Sequence, residues 1–109
     1  MTGLPLSRAA AGLLRALLHR MKESRHRILL IEASSVDWQS LTFTGERHLF
    51  ALRVIGPHAD AIAGKLTDGL ADAEFEIAGH IVADIAAFPS EAEPDGSILV
   101  RIEALTVAE

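Results

Sequence analysis

Two strand-forming runs near the C-terminus constrain this chain more than any other feature. Ile81 to Phe88 and Ser97 to Val107 flank a loop, Pro89 to Gly96, that is rich in acid and proline. Pairing Phe88 with Ser97 sets Ala87 opposite Ile98, Ile85 opposite Val100, Ala83 opposite Ile102 and Ile81 opposite Ala104. All eight then share one face, as a half-buried hairpin requires. On the other face the same register sets Asp84 against Arg101, an opposite-charge pair of the kind that supports a register. Glu74 to Ile77 is read as the start of the first of these strands, with a bulge at Gly79.

Upstream, Leu6, Ala10, Leu13, Leu14, Leu17, Leu18 and Met21 recur at three- and four-residue spacing. That is one helical stripe. Pro5 suits the first turn, and basic residues gather where the negative end of the helix dipole lies. Helix 1 is therefore expected at about 5–24. A hairpin follows at about 28–55. Ile28 to Ile31 is an apolar run, Ser34–Asp37 a bulge or turn candidate, and Trp38 to Thr44 resumes the strand. Gly45-Glu46 suits a two-residue type II′ turn, which would face Phe43 with His48 and Leu41 with Phe50. Helix 2 is expected at about 57–68, with Ala59, Ile62, Ala63 and Leu66 as its stripe and Gly69 as its C-terminal cap. The last hairpin spans about 74–107.

With 109 residues the chain is read as one α+β domain of order αββαββ. The expected product is a four-stranded antiparallel sheet with both helices on one face. A ferredoxin-like sandwich whose first strand is moved to the end has this same order. That is a statement about topology and implies no function.

Charge is unevenly placed. Residues 1–27 hold Arg8, Arg15, Arg20, Lys22, Arg25 and Arg27 against Glu23 alone, a net +5, and the remainder carries −10. A basic segment can contact nucleic acid or an anionic membrane. An acidic remainder repels phosphate polymers, so a basic helix packed beside an acidic body is the preferred reading and nucleic acid is an unlikely partner. No uncharged stretch exceeds eight residues, Trp38 to Gly45, so no transmembrane segment is expected. Arg15 interrupts any secretory signal, and a cytoplasmic location is expected.

Few residues suggest chemistry. Without cysteine there is no disulfide or thiolate site. His19, His26, His48, His58 and His80 have no metal-ligand spacing, and His80 and Asp84 lie roughly 13 Å apart along a strand. No nucleophile elbow or phosphate loop occurs. Glu91, Glu93 and Asp95 read as a solvated loop. His48 is expected to be half-buried and hydrogen-bonded. No catalytic residue, metal or cofactor is assigned, and the balance leans away from an enzyme.

The functional hint is an apolar surplus on the sheet face away from the helices. Trp38, Leu49, Val82, Ala86, Phe88, Leu99, Leu105 and Val107 are expected there, interleaved with Thr42, Arg53, His80, Asp84, Arg101 and Glu103. An open face is ordinarily polar, so a mixed one suits an interface or a ligand site. The leading expectation is a small assembly module that homodimerises through its sheet. The alternative is a small-molecule ligand or enzyme site beside Trp38, with Arg53, His80, Asp84 and Arg101 supplying polar groups.

Overall fold

A computed structural model describes residues 6–109. Helix α1 runs Arg8–His19, opened by Ser7, whose hydroxyl accepts from the Ala10 amide at 3.1 Å. The expected start at Pro5 lies outside the described residues. The helix ends earlier than its stripe suggests: Lys22 takes a positive φ of 52°, and Lys22–Arg27 continues as a 3-10 helix. Strands β1 (Ile28–Gln39) and β2 (Thr44–Val54) follow, then α2 (Ala59–Thr67), a 3-10 turn Leu70–Asp72, β3 (His80–Ala87), the short β4 (Glu91–Ala92) and β5 (Ile98–Ala108).

The four long strands lie in the order β1-β2-β5-β3, all antiparallel, with β4 added beside β5. The α+β reading holds, and the order matches the permuted ferredoxin-like arrangement. Phe50, Leu52 and Val54 of β2, Val100, Ile102 and Ala104 of β5, and Ile85 of β3 are buried against Ala10, Leu13, Leu14 and Leu17 of α1. The α2 stripe of Ala59, Ile62, Ala63 and Leu66 closes the same layer. These sheet residues share one face by alternation, so both helices cover that face. Each large side chain in this layer contributes roughly 1.5–3 kcal/mol by leaving water.

Both hairpins differ from their expected registers. The first turns at Ser40–Phe43, where the Ser40 amide donates to the Phe43 carbonyl at 2.8 Å and the Phe43 amide donates to Ser40 Oγ at 3.1 Å. Gly45 is therefore a strand residue, paired with Trp38 and Val107. Ser34–Asp37 is continuous strand, and the irregularity falls between Leu30 and Glu32. Leu41 and Phe43, expected in the core, stand exposed at the tip. On the core face, burial stops at His48 on β2 and at the half-buried Ala33 on β1, so the tip extends past the helical layer. The molecule is correspondingly long, 46 × 35 × 23 Å.

In the second hairpin β3 is slipped four residues along β5, so Ile85 faces Ala104 and Ala87 faces Ile102. The cause is the loop. Glu91-Ala92 pairs with Leu99 and Ile98, and the Glu93 amide donates to the Ser97 carbonyl at 2.9 Å. Asp95 Oδ1 accepts from the Ser97 amide at 2.9 Å and hydroxyl at 2.6 Å. This miniature hairpin occupies the positions opposite Ile98 and Leu99 that the expected register gave to Ala87 and Ala86. An even slip preserves the face, so Ile85 and Ala87 keep their core side. Ile81 and Ala83, expected there too, are lost from it because the bulge leaves Ala83 unpaired and turns Ile81 outward. The expected Asp84–Arg101 pair does not: Asp84 faces Leu105, and Arg101 bonds to Glu91. The bulge lies at Ala83, not Gly79, and Glu74–Glu76 lies outside the sheet. Gly79, at φ 79°, instead makes the turn that brings the His80 amide to the Ile77 carbonyl at 3.0 Å.

Candidate functional site

Among the described residues, exposed large hydrophobics gather on one element. Six of nine belong to the β1–β2 hairpin: Leu29, Ile31, Val36, Leu41, Phe43 and Leu49. Val36 is 65% exposed and Phe43 55%. Their cause is local. Leu29, Val36 and Leu49 lie on the outer face, which neither helix covers, and Leu41 and Phe43 lie past His48, where helical cover ends. β1 is also an edge strand, hydrogen-bonded only to β2. Natural edges are blunted by lysine, proline, bulges or cover. β1 holds no Lys, Arg or Pro along its twelve residues, and its one irregularity lies near its start.

The central part of the outer face is less apolar than expected. Arg47 and Glu103 pair across β2 and β5 at 3.5 Å. Leu99 and Leu105 are half-buried beside the partly buried Arg53 and the exposed Arg101. The Ala83 bulge sends Val82 and His80 to the helix side, which corrects their expected place on the outer face. Val82 packs against the core edge, Ile81 is turned out at 53% exposure, and Phe88 stands 45% exposed just past β3. The apolar surplus thus sits on the edges and tip rather than the middle of the sheet.

Trp38 lies close to the turn of the hairpin, paired with Gly45. Its indole crosses Gly45, where an added Cβ would stand 2.8 Å from Nε1, and Nε1 is buried without a hydrogen-bond partner. A recess of about 320 Å³ lies here, lined by Trp38, Gly45, Glu46, His80 and Ala108 among others. Trp38 and His80 are thus brought together as the sequence suggested. Arg53, Asp84 and Arg101 do not line the recess.

Sequence reasoning singled out His48 beside it but missed its partners. His48 is fully buried, and its Nδ1 lies 2.7 Å from Ser35 Oγ and its Nε2 2.8 Å from Thr106 Oγ1. The bridge stitches β1, β2 and β5 together on the helix face, and the His48 ring stacks on Phe50 at 6.1 Å. Both nitrogens are satisfied by hydroxyls, which can donate or accept. The expected hydrogen bonding of His48 is borne out, but the side chain is fully rather than half buried. Its partners depend on the true register and could not be read from the chain.

Burial holds the His48 pKa below the usual histidine value of 6.5; Glu46 nearby raises it in part and His80 lowers it further. The unfolded chain therefore takes up a proton below that value that the folded chain resists. Stability is fully present above it and falls as pH drops toward the folded pKa. Urea unfolding is expected to show this loss as pH falls below about 6.5, at no more than about 1.4 kcal/mol per pH unit for one proton. His48→Gln should flatten that slope; an unchanged slope would assign it to other groups.

No helix among the described residues is long and apolar enough to cross a membrane. No group of three or more His, Asp or Glu able to hold a metal occurs among them. No protein-family model matches the chain, and no curated protein matches it. A similar solved structure is a chain in the virion of a native gene transfer agent particle, with a TM-score of 0.54 over 75% of this chain and 67% of that one. At 18% identity the likeness is one of fold.

Proposed function

We propose that the protein is a non-enzymatic assembly module that self-associates through the β1–β2 hairpin, with the free edge of β1 pairing to β1 of a second copy. The carrying observation is the unblocked twelve-residue edge, with Leu29, Ile31 and Val36 exposed along it and Leu41 and Phe43 at its tip. Edge pairing satisfies open backbone groups and covers these side chains in one step. Antiparallel pairing of identical strands is two-fold symmetric, so one patch serves both copies. The chain of similar fold belongs to a virion particle, an assembled object, which agrees with this reading.

Sedimentation of the full chain in about 0.5 M salt, where charge contacts are screened, tests the proposal. A dimer is expected at tens of micromolar. Val36→Lys should weaken it at least about 30-fold, as for a hot-spot side chain, with the circular dichroism unchanged. A clean monomer, or a dimer indifferent to Val36→Lys, would sink it. A second reading, a small-ligand site in the recess beside Trp38, is favoured by the unpartnered indole nitrogen. It has fewer polar groups than that role was expected to recruit.

A further inference from the structure

A second surface lies between α1 and the segment Glu74–Ala78. It is a groove of about 640 Å³. Arg8, Arg15, His19 and Arg20 line one bank, all from α1, and Phe75 and Ile77 lie on the other. Gly12 and Ala16 keep the helix bank low. At Gly12 an added Cβ would meet the Ile77 side chain at 2.8 Å.

Three observations say what this groove lacks. Arg20 sits over the Phe75 ring at 6.0 Å and donates from Nη2 to the Asp68 carbonyl at 2.8 Å, while its Nη1 is buried with no acceptor. A buried, unpaired guanidinium nitrogen is costly and is best satisfied by a carboxylate. Secondly, among the described residues the amides of Glu74, Phe75 and Glu76 make no backbone hydrogen bond, which leaves them open to another segment. Thirdly, the groove's cations outnumber its acids, Glu74 and Glu76, although the chain as a whole is acidic.

The complementary shape is present in the same chain. The loop after β3 carries exposed Phe88, then Glu91, Glu93 and Asp95, with no basic residue from Phe88 to Asp95. It is extended at Glu91-Ala92 and pinned to its own β5 by that pairing and by the Glu91–Arg101 contact. An acidic, preformed segment, extended at Glu91-Ala92, fits a basic groove whose other bank has open backbone amides.

We propose that the basic groove of one copy docks the acidic loop Phe88–Asp95 of a second copy. This rests on the reading of the chain as an assembly module, and adds a contact on different surfaces from the β1 edge. Groove and loop are unlike patches, so the contact is head-to-tail and propagates to a ring or a filament. Two contact types, one symmetric and one head-to-tail, let a small chain build an extended assembly.

The test uses the full chain carrying Val36→Lys, which removes the edge contact, in about 50 mM and about 500 mM salt. Association at low salt that is lost at high salt is expected. Arg15→Glu and Glu93→Arg, both at positions free of side-chain hydrogen bonds, should each weaken it about tenfold. Mixing the two variants should restore it, because each reversed groove then meets a reversed loop. A monomer at low salt, insensitivity to both reversals, or no recovery on mixing overturns the proposal. In those outcomes a high-salt dimer of the unsubstituted chain leaves the assembly reading standing. A chain that is monomeric under every condition removes both.

Discussion

Phe50→Ala is expected to lower folding stability by about 3–5 kcal/mol, the largest effect of any single truncation in this chain. Phe50 is fully buried at the centre of the sheet, opposite Ala33 on β1 and Ile102 on β5, with the His48 ring stacked on it. Its small neighbour Ala33 cannot fill the space, so a cavity remains. It also strips the packing from one side of His48, whose hydrogen bonds hold three strands together. For a domain whose whole stability is of order 5–15 kcal/mol, this is a large share. Thermal unfolding should fall by roughly 12 °C or more. Phe50→Leu, which keeps most of the volume, should cost less than about 1.5 kcal/mol. A loss under about 1 kcal/mol for Phe50→Ala would contradict the described core.

Gly45→Ala should be the next most damaging change, at about 1–3 kcal/mol or somewhat more. The added Cβ would stand 2.0 Å from the Thr106 carbonyl oxygen and 2.8 Å from Trp38 Nε1. A side chain can swing away, but the carbonyl belongs to the β2–β5 ladder and retreats only if that ladder opens. The end of the hairpin, including its Trp38 side, should then loosen. Trp38 is the single tryptophan, so its fluorescence reports this directly as a red shift. Adding Trp38→Ala to Gly45→Ala should not recover the lost stability, because the backbone collision remains. Full recovery would show that the indole alone was the obstacle.

Gly45 also illustrates where sequence reasoning stops. Beside Glu46 it has the look of a tight turn, yet the structure uses it for a close approach. The true turn, Ser40–Phe43, contains Leu41 and Phe43, two residues that a core-seeking argument places inside. That argument assumes helical cover along the whole hairpin, and cover ends near His48. The second hairpin failed for a related reason. Two criteria, an apolar face and the Asp84–Arg101 pair, agreed on a register four residues away from the real one. Slips by even numbers keep every side chain on its face, so burial alone does not distinguish them. The loop's own hydrogen bonds, through Asp95 and Ser97, decided between them.

The candidate interface was legible only in outline. The surplus of apolar residues on the outer side of the sheet was visible, and Phe88, Leu49 and Trp38 lie where it pointed. The bulge at Ala83 moved Val82 and His80 off that face, and the edge position of β1 could not be known without the strand order. The charge asymmetry between the first 27 residues and the rest was plain from the start. Its partner surfaces became visible only when α1 was seen beside Glu74–Ala78 and the acidic loop was seen pinned as β4.

What the sequence determined by itself was periodicity: helical stripes, strand alternation, their order, and hence an α+β sandwich with its core residues mostly named. These follow from local geometry, since spacing alone says which side chains share a face. Register, strand order and the limits of helical cover were decided only by the tertiary structure. They depend on contacts between distant segments, where several pairings bury the same face and a few hydrogen bonds or one bulged residue select among them.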